Sequence, residues 1–184
     1  MKSMRKFKKS GTKKKQHEQK NLYAVIGTDV LVSALLSSNE EAATVQVVKK
    51  LLAGAATPLL NNNILQEYNE VLRRPKFNFS PQTVSDLLYA MEQSGVIVNP
   101  VPSGEQLPDI KDLPFYEVVL EKSDENAYLV TGNGKHFPVK PFIVTPREFF
   151  GNPHKIKIIL YFYSISMSVY SLVPNPRAAA ASMV

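Results

Sequence analysis

Cysteine is absent from the 184-residue chain. No disulfide framework, thiolate metal site or thiol nucleophile is therefore available, a composition that fits a reducing cytoplasm. Histidine is scarce, with His17, His136 and His154 alone, which argues against a multi-histidine metal centre. Glycine is sparse too, at eight residues. Gly132-x-Gly134 is too little to make a glycine-rich phosphate loop, so a nucleotide-binding domain is the weakest function class. No internal repeat is visible. A membrane-spanning helix needs about 20 apolar residues, and no run reaches that length. A signal peptide is also disfavoured: Asp29 interrupts the apolar stretch Leu22–Leu36, and no clear small-residue cleavage site follows.

Charge is present but unevenly placed. The net charge is +6. Residues 1–20 hold nine basic side chains against Glu18, or +8, and the rest of the chain sums to −2. A basic, apolar-poor leader of this kind is expected to be disordered. It is either a solubilising tail or a sequence-blind aid to nucleic-acid binding through counterion release. The length suits one domain plus tails: a basic tail over 1–20, a folded domain over 21–150 and an extension over 151–184. Within the extension, Ile158–Val173 carries no charge but is interrupted by four serines. It reads as an interfacial segment, a strand-like oligomer contact or a tail with no selected role.

Apolar patterning predicts alternating strands and helices. Leu22–Ile26 is a short apolar run suited to a buried parallel strand, and Val30–Leu36 starts a helix. Glu40–Ala53 is helical in pattern, followed by a strand over Thr57–Leu60. Ile64–Arg74 carries Ile64, Leu65, Tyr68, Val71 and Leu72 on one face, and Pro75 stops it. Ser80-Pro81 opens another helix, which Gly95 closes, and Val96–Val98 is a third strand. A polar loop leads to Asp112-Leu113-Pro114, which opens a helix through Glu121. Ala127–Val130 and Phe142–Val144 complete the strands, and Thr145-Pro146-Arg147-Glu148 is a helix start. The alternation implies an α/β fold with a parallel sheet. Ligands of such sheets bind beyond the carboxyl ends of the strands.

Polar residues gather at those ends. Asp29 follows the first strand, Glu67 lies on the helix after the second, Asp112 follows the third, and Thr131 and Asn133 follow the fourth. Converging oxygen donors suit the hard cations Mg²⁺ or Mn²⁺, and a cation held there activates water and orients a phosphate. Each position also has a structural reading. Asp29 and Asp112 are both suited to capping helices. Glu67 sits at the edge of an apolar stripe, where a solvated carboxylate is common. Asn133 suits a turn. Arg73, Arg74 and Lys76 are placed either to grip phosphates or to complement a helix dipole. His136 reads as structural.

Five blocks, in order, resemble the PIN-domain family, especially its bacterial toxin (VapC-like) branch. They are Val25–Leu36 (VIGTDVLVSALL), Ile64–Phe77 (ILQEYNEVLRRPKF), Pro108–Phe115 (PDIKDLPF), Tyr128–Asn133 (YLVTGN) and Ile143–Phe149 (IVTPREF). The resemblance thus spans the whole of the expected folded domain. It implies a three-layer αβα fold on a parallel sheet of four to five strands. It also implies a Mg²⁺- or Mn²⁺-dependent ribonuclease that leaves a 5′-phosphate and a 3′-hydroxyl. A small antitoxin protein and a second copy of the chain are the implied partners. Glu67 and Asp112 fall on the family's second and third acids, and Thr131 on its hydroxyl position. Two positions depart: the first acid falls on Gly27, and the fourth on the neutral Asn133. Asp29, two residues beyond Gly27, is a candidate replacement ligand. The competing reading is a catalytically impaired module that binds RNA or a protein without cutting.

Overall fold

The computed structural model describes residues 21–151. The basic leader and nearly all of the C-terminal extension lie outside the described residues. Five parallel strands form one sheet: β1 (Tyr23–Ile26), β2 (Thr57–Leu60), β3 (Val96–Ile97), β4 (Ala127–Val130) and β5 (Ile143–Val144). Their order is β3-β2-β1-β4-β5, and every neighbouring pair is parallel. The helices are α1 (Thr28–Leu36), α2 (Ala43–Leu52), α3 (Asn62–Leu72), α4 (Pro81–Ser94), α5 (Leu113–Glu121) and α6 (Pro146–Phe150). The expected three-layer αβα architecture is therefore present, with all five strands.

Burial explains why these short runs become strands. Ala24, Val25 and Ile26 of β1 are all buried, as are Leu59 and Leu60 of β2 and Leu129 and Val130 of β4. Consecutive apolar residues, without alternation, are what a sheet covered on both faces demands. At the edge, Val96 and Ile97 of β3 stay exposed. α5 lies against β1, β2 and β4, while α2 packs on α1, α4 and α6. α6 is anchored by the expected capping box: Thr145 Oγ1 accepts from the Glu148 amide, and Glu148 accepts from the Thr145 amide.

Element ends follow local chemistry, with one correction of cause. Asn61 caps α3 by accepting from the Ile64 amide at 2.8 Å. Gly95 does follow α4, but its φ of −88° is open to any residue. Its role is space. A Cβ there would lie 2.6 Å from the Met91 carbonyl oxygen and 2.8 Å from Leu60 Cδ1, so glycine permits the close approach of α4 to β2.

The strand order places a switch point at the centre of the sheet. After β1 the chain runs outward through β2 and β3, then returns to place β4 on the other side of β1. The loops leaving β1 and β4 diverge there and open a crevice at the carboxyl ends.

Candidate active site

The two sides of that crevice are Gly27-Thr28-Asp29 after β1 and Thr131-Gly132 after β4. Pairing of β1 with β4 extends past the strand, because the Gly27 amide donates to the Val130 carbonyl at 2.8 Å. Gly27 then caps α1 through its backbone alone. Asp29, in the first turn of α1, does not cap the helix. Its carboxylate reaches across to β4, accepting from the Gly132 amide at 2.6 Å and from Thr131 Oγ1 at 3.2 Å. Thr131, which is buried, accepts in turn from the Asn133 amide at 3.0 Å.

Gly27 explains how this is possible. Its backbone (φ −60°, ψ 142°) is accessible to every residue, so no conformational demand selects glycine. A Cβ at this position would overlap Asp29 Oδ1 and stand 3.2 Å from Thr131 Cβ and Oγ1. The Asp29 carboxylate thus occupies the volume that a side chain on residue 27 would need.

Glu67 and Asp112 form the other wall. Glu67 projects from α3, and Glu67 Oε1 accepts from Thr28 Oγ1 at 2.6 Å. The next residue, Tyr68, is wholly buried and donates its hydroxyl to the Ile26 carbonyl, which pins α3 to the end of β1. Burial raises the Tyr68 phenol, which remains a donor. Asp112 ends a 3-10 turn over Ile110–Asp112, where the Asp109 carboxylate accepts from the Lys111 amide. Asp112 stands at the N-cap of α5 without a side-chain capping bond; its Oδ2 lies 3.0 Å from His136 Nδ1. The capping explanation therefore holds for neither aspartate's side chain.

Asp29, Glu67 and Asp112 line one open cleft of about 570 Å³, with Glu70, Asp109, Lys111, Arg74 and Phe77 around them. Partial burial raises the Glu67 carboxyl above its ordinary value; the charge of Asp112 adds to this, and the Thr28 hydrogen bond opposes it. Burial also raises Asp112, which the contact with His136 opposes and the charges of Asp109 and Asp29 reinforce. The donor chemistry of Asp29, Glu67 and Asp112, hard anionic oxygen, fits Mg²⁺ or Mn²⁺. In the present rotamers, however, no three His, Asp or Glu side chains among the described residues converge as a ligand set. Each acid is held by a neighbour: Asp29 by Thr131 and Gly132, Glu67 by Thr28, Asp112 by His136.

A PIN domain model matches residues 23–135. The chain belongs to the PIN-domain family. No curated protein and no solved structure gives a significant match. PIN domains are in general nucleases that act on RNA. In this PIN domain the expected residues do not all arrive at the cleft. Asp29, Glu67, Asp112 and Arg74 line it, and Thr131 supports it through Asp29. Asn133 is exposed and touches the site through its backbone amide. Arg73 is drawn away, donating to Asn69 and Ser85 at 2.8 and 2.9 Å. Lys76 lies over the Phe77 ring at 4.7 Å. Thr28, Tyr68 and His136 are the supporting residues that sequence reasoning misses or sets aside. Tyr68 reads as an apolar-face residue, and nothing local marks its hydroxyl.

Among the described residues no helix is long and apolar enough to cross a membrane.

Proposed function

We propose that the protein is a metal-dependent endoribonuclease of toxin type, with Asp29 replacing the acid missing at Gly27. The observation that carries this reading is the Asp29 carboxylate in the volume that a residue-27 side chain would fill. A glycine with ordinary dihedrals, whose vacant space holds another acid, is the pattern of a relocated ligand rather than a lost one.

Asp29, Glu67 and Asp112 would hold Mg²⁺ or Mn²⁺ once the side chains close on it. When bound, the ion supplies an acidified water and neutralises charge on the phosphodiester. The chain's own contribution is positioning. Thr131 and Gly132 keep Asp29 turned to the crevice. Thr28 orients Glu67, and His136 orients Asp112. Arg74 makes no side-chain hydrogen bond or ion pair among the described residues and is available to a phosphate on the cleft rim. Attack in line would leave a 5′-phosphate and a 3′-hydroxyl. The toxin reading adds a cytoplasmic setting, an antitoxin protein that covers the cleft, and a homodimer. These three rest on the sequence resemblance.

The second reading is an impaired PIN module that binds RNA or a partner without cutting, and the lack of a converged three-ligand set among the described residues favours it. One experiment separates the two. Structured and unstructured RNAs are incubated with the wild type and with Asp112→Ala, in Mn²⁺ or EDTA. Mn²⁺-dependent cutting that disappears in the variant supports the nuclease. RNA bound tightly and left intact by the wild type in Mn²⁺ would establish the module.

A further inference from the structure

Phe77 is not part of the hydrophobic core, although it is a large aromatic residue in a well-folded segment. Pro75–Phe77 forms a 3-10 turn after α3, and Asn78 takes a left-handed conformation (φ 52°), which asparagine tolerates. That reversal brings Phe79 beside Phe77, with ring centroids 5.5 Å apart and planes within 11° of parallel. Phe79 packs against the core, while Phe77 is not among the residues that do so. The half-buried Phe77 ring lines the cleft instead. An aromatic ring is thus braced from behind by a second ring and presented to the candidate active site.

Two cations lie beside it in the chain. Arg74 lines the same cleft with an uncommitted guanidinium among the described residues, and the exposed Lys76 ammonium stands over the Phe77 ring. The acidic group of Asp29, Glu67 and Asp112 lines the same cleft, as does Glu70, one helical turn before Arg74. A ring flanked by cations at the rim of such a site matches the needs of a nucleotide: a π-face for the base and positive charge for its phosphate. An apolar peptide segment would gain nothing from Arg74, and an acidic one would offer the Phe77 ring no flat π-face to stack on.

The geometry points to Phe77, braced by Phe79, as a stacking platform for one unpaired base, with Arg74 on the adjoining phosphate. This subsite rests on the ribonuclease reading and deepens it. It selects strands whose bases are free, because paired bases keep their faces within the duplex. Lys76, on a flexible stem, yields the ring face to the base and moves to the backbone.

The chain contains no tryptophan, so Phe77→Trp introduces a single reporter at the platform. In EDTA, where cleavage is suppressed, a single-stranded 12-mer RNA should quench its emission, and an abasic ribose-phosphate 12-mer should not. By fluorescence anisotropy, Phe77→Leu should bind the RNA about fivefold or more weakly than wild type. Phe77→Tyr should restore binding to within about twofold, and the abasic strand should not distinguish the variants. Equal quenching by both strands, equal affinity of the Leu variant, or no binding by wild type overturns the platform. A strand cut in Mn²⁺ but bound equally by Phe77→Leu removes the platform and leaves the nuclease. A strand bound through Phe77 and never cut does the reverse.

Discussion

If the Asp29 carboxylate fills the space at Gly27, the two positions must be energetically coupled, and the coupling can be estimated. Gly27→Ala is compatible with φ −60°, ψ 142°. On backbone grounds alone it should stabilise the fold by about 0.4–1 kcal/mol, by restricting the unfolded chain. The new methyl overlaps Asp29 Oδ1, so the carboxylate must swing away. It then gives up the Gly132 amide and the Thr131 hydroxyl. Hydrogen bonds to a charged group contribute about 1.5–3 kcal/mol, and partial exposure places this pair near the lower end. The net expectation is destabilisation by about 1 kcal/mol. In an Asp29→Ala background the obstacle is gone, and Gly27→Ala should become neutral or stabilising. The double-mutant cycle should therefore show a coupling of about 1.5 kcal/mol or more. Urea unfolding followed by circular dichroism measures all four proteins, with m-values checked for constancy. Additivity within about 0.5 kcal/mol would refute the relocated carboxylate.

Four further outcomes are expected. The double exchange Gly27→Asp with Asp29→Ala clears the space beside residue 27 and puts the acid there instead, so Mn²⁺-dependent RNA cutting should persist in it; a gel assay showing activity in wild type and none in the exchange would contradict the relocation. Glu67 has a raised carboxyl, so the folded state favours its protonated form. Its contribution to stability is greatest below the unfolded carboxyl range and falls as pH rises through the folded value. Glu67→Gln, which retains an acceptor for Thr28, should therefore raise the melting temperature at pH 7 in EDTA by a few degrees, with the gain shrinking at pH 4. Tyr68→Phe should cost about 1–2 kcal/mol in urea unfolding, because it strands the buried Ile26 carbonyl. Two glycines should respond for opposite reasons. Gly95→Ala should destabilise by about 1–3 kcal/mol, because backbone atoms limit the space. Gly104 has a φ of +71° and nothing crowding it. Gly104→Ala should therefore cost about 1–2 kcal/mol through backbone strain alone. Calorimetry on both alanine variants tests the contrast.

The fold was legible because its signals are local. Apolar runs such as Leu22–Ile26 and Ala127–Val130 have no other stable use than a covered strand. The Thr145/Glu148 capping box and the Pro75 stop read directly as helix ends. Strand order was not legible from the residues, because nothing in β4 says that it returns beside β1. That Asp29, Glu67 and Asp112 lie at strand ends was legible, and the structure brings them to one cleft, but their partners were not legible. Asp29 looks like a helix cap because caps are local, whereas its actual partners are 102 and 103 residues away. Glu67 looks like a boundary residue because Thr28, 39 positions earlier, is invisible to a helical wheel. Arg73 and Arg74 look interchangeable in sequence. One residue of helical rotation sends the first to α4 and the second to the cleft.

The hydrogen bonds from Thr131 and Gly132 to Asp29 also set a time order for synthesis. A growing chain has made β1, α1 and α3 long before β4 leaves the ribosome. Until then Asp29 has no anchor and Asp112 has no His136. A nascent or truncated chain that stops short of residue 131 thus carries all three acids yet has nothing to align Asp29. The strand that arrives second to last is therefore the one that fixes the Asp29 carboxylate in place.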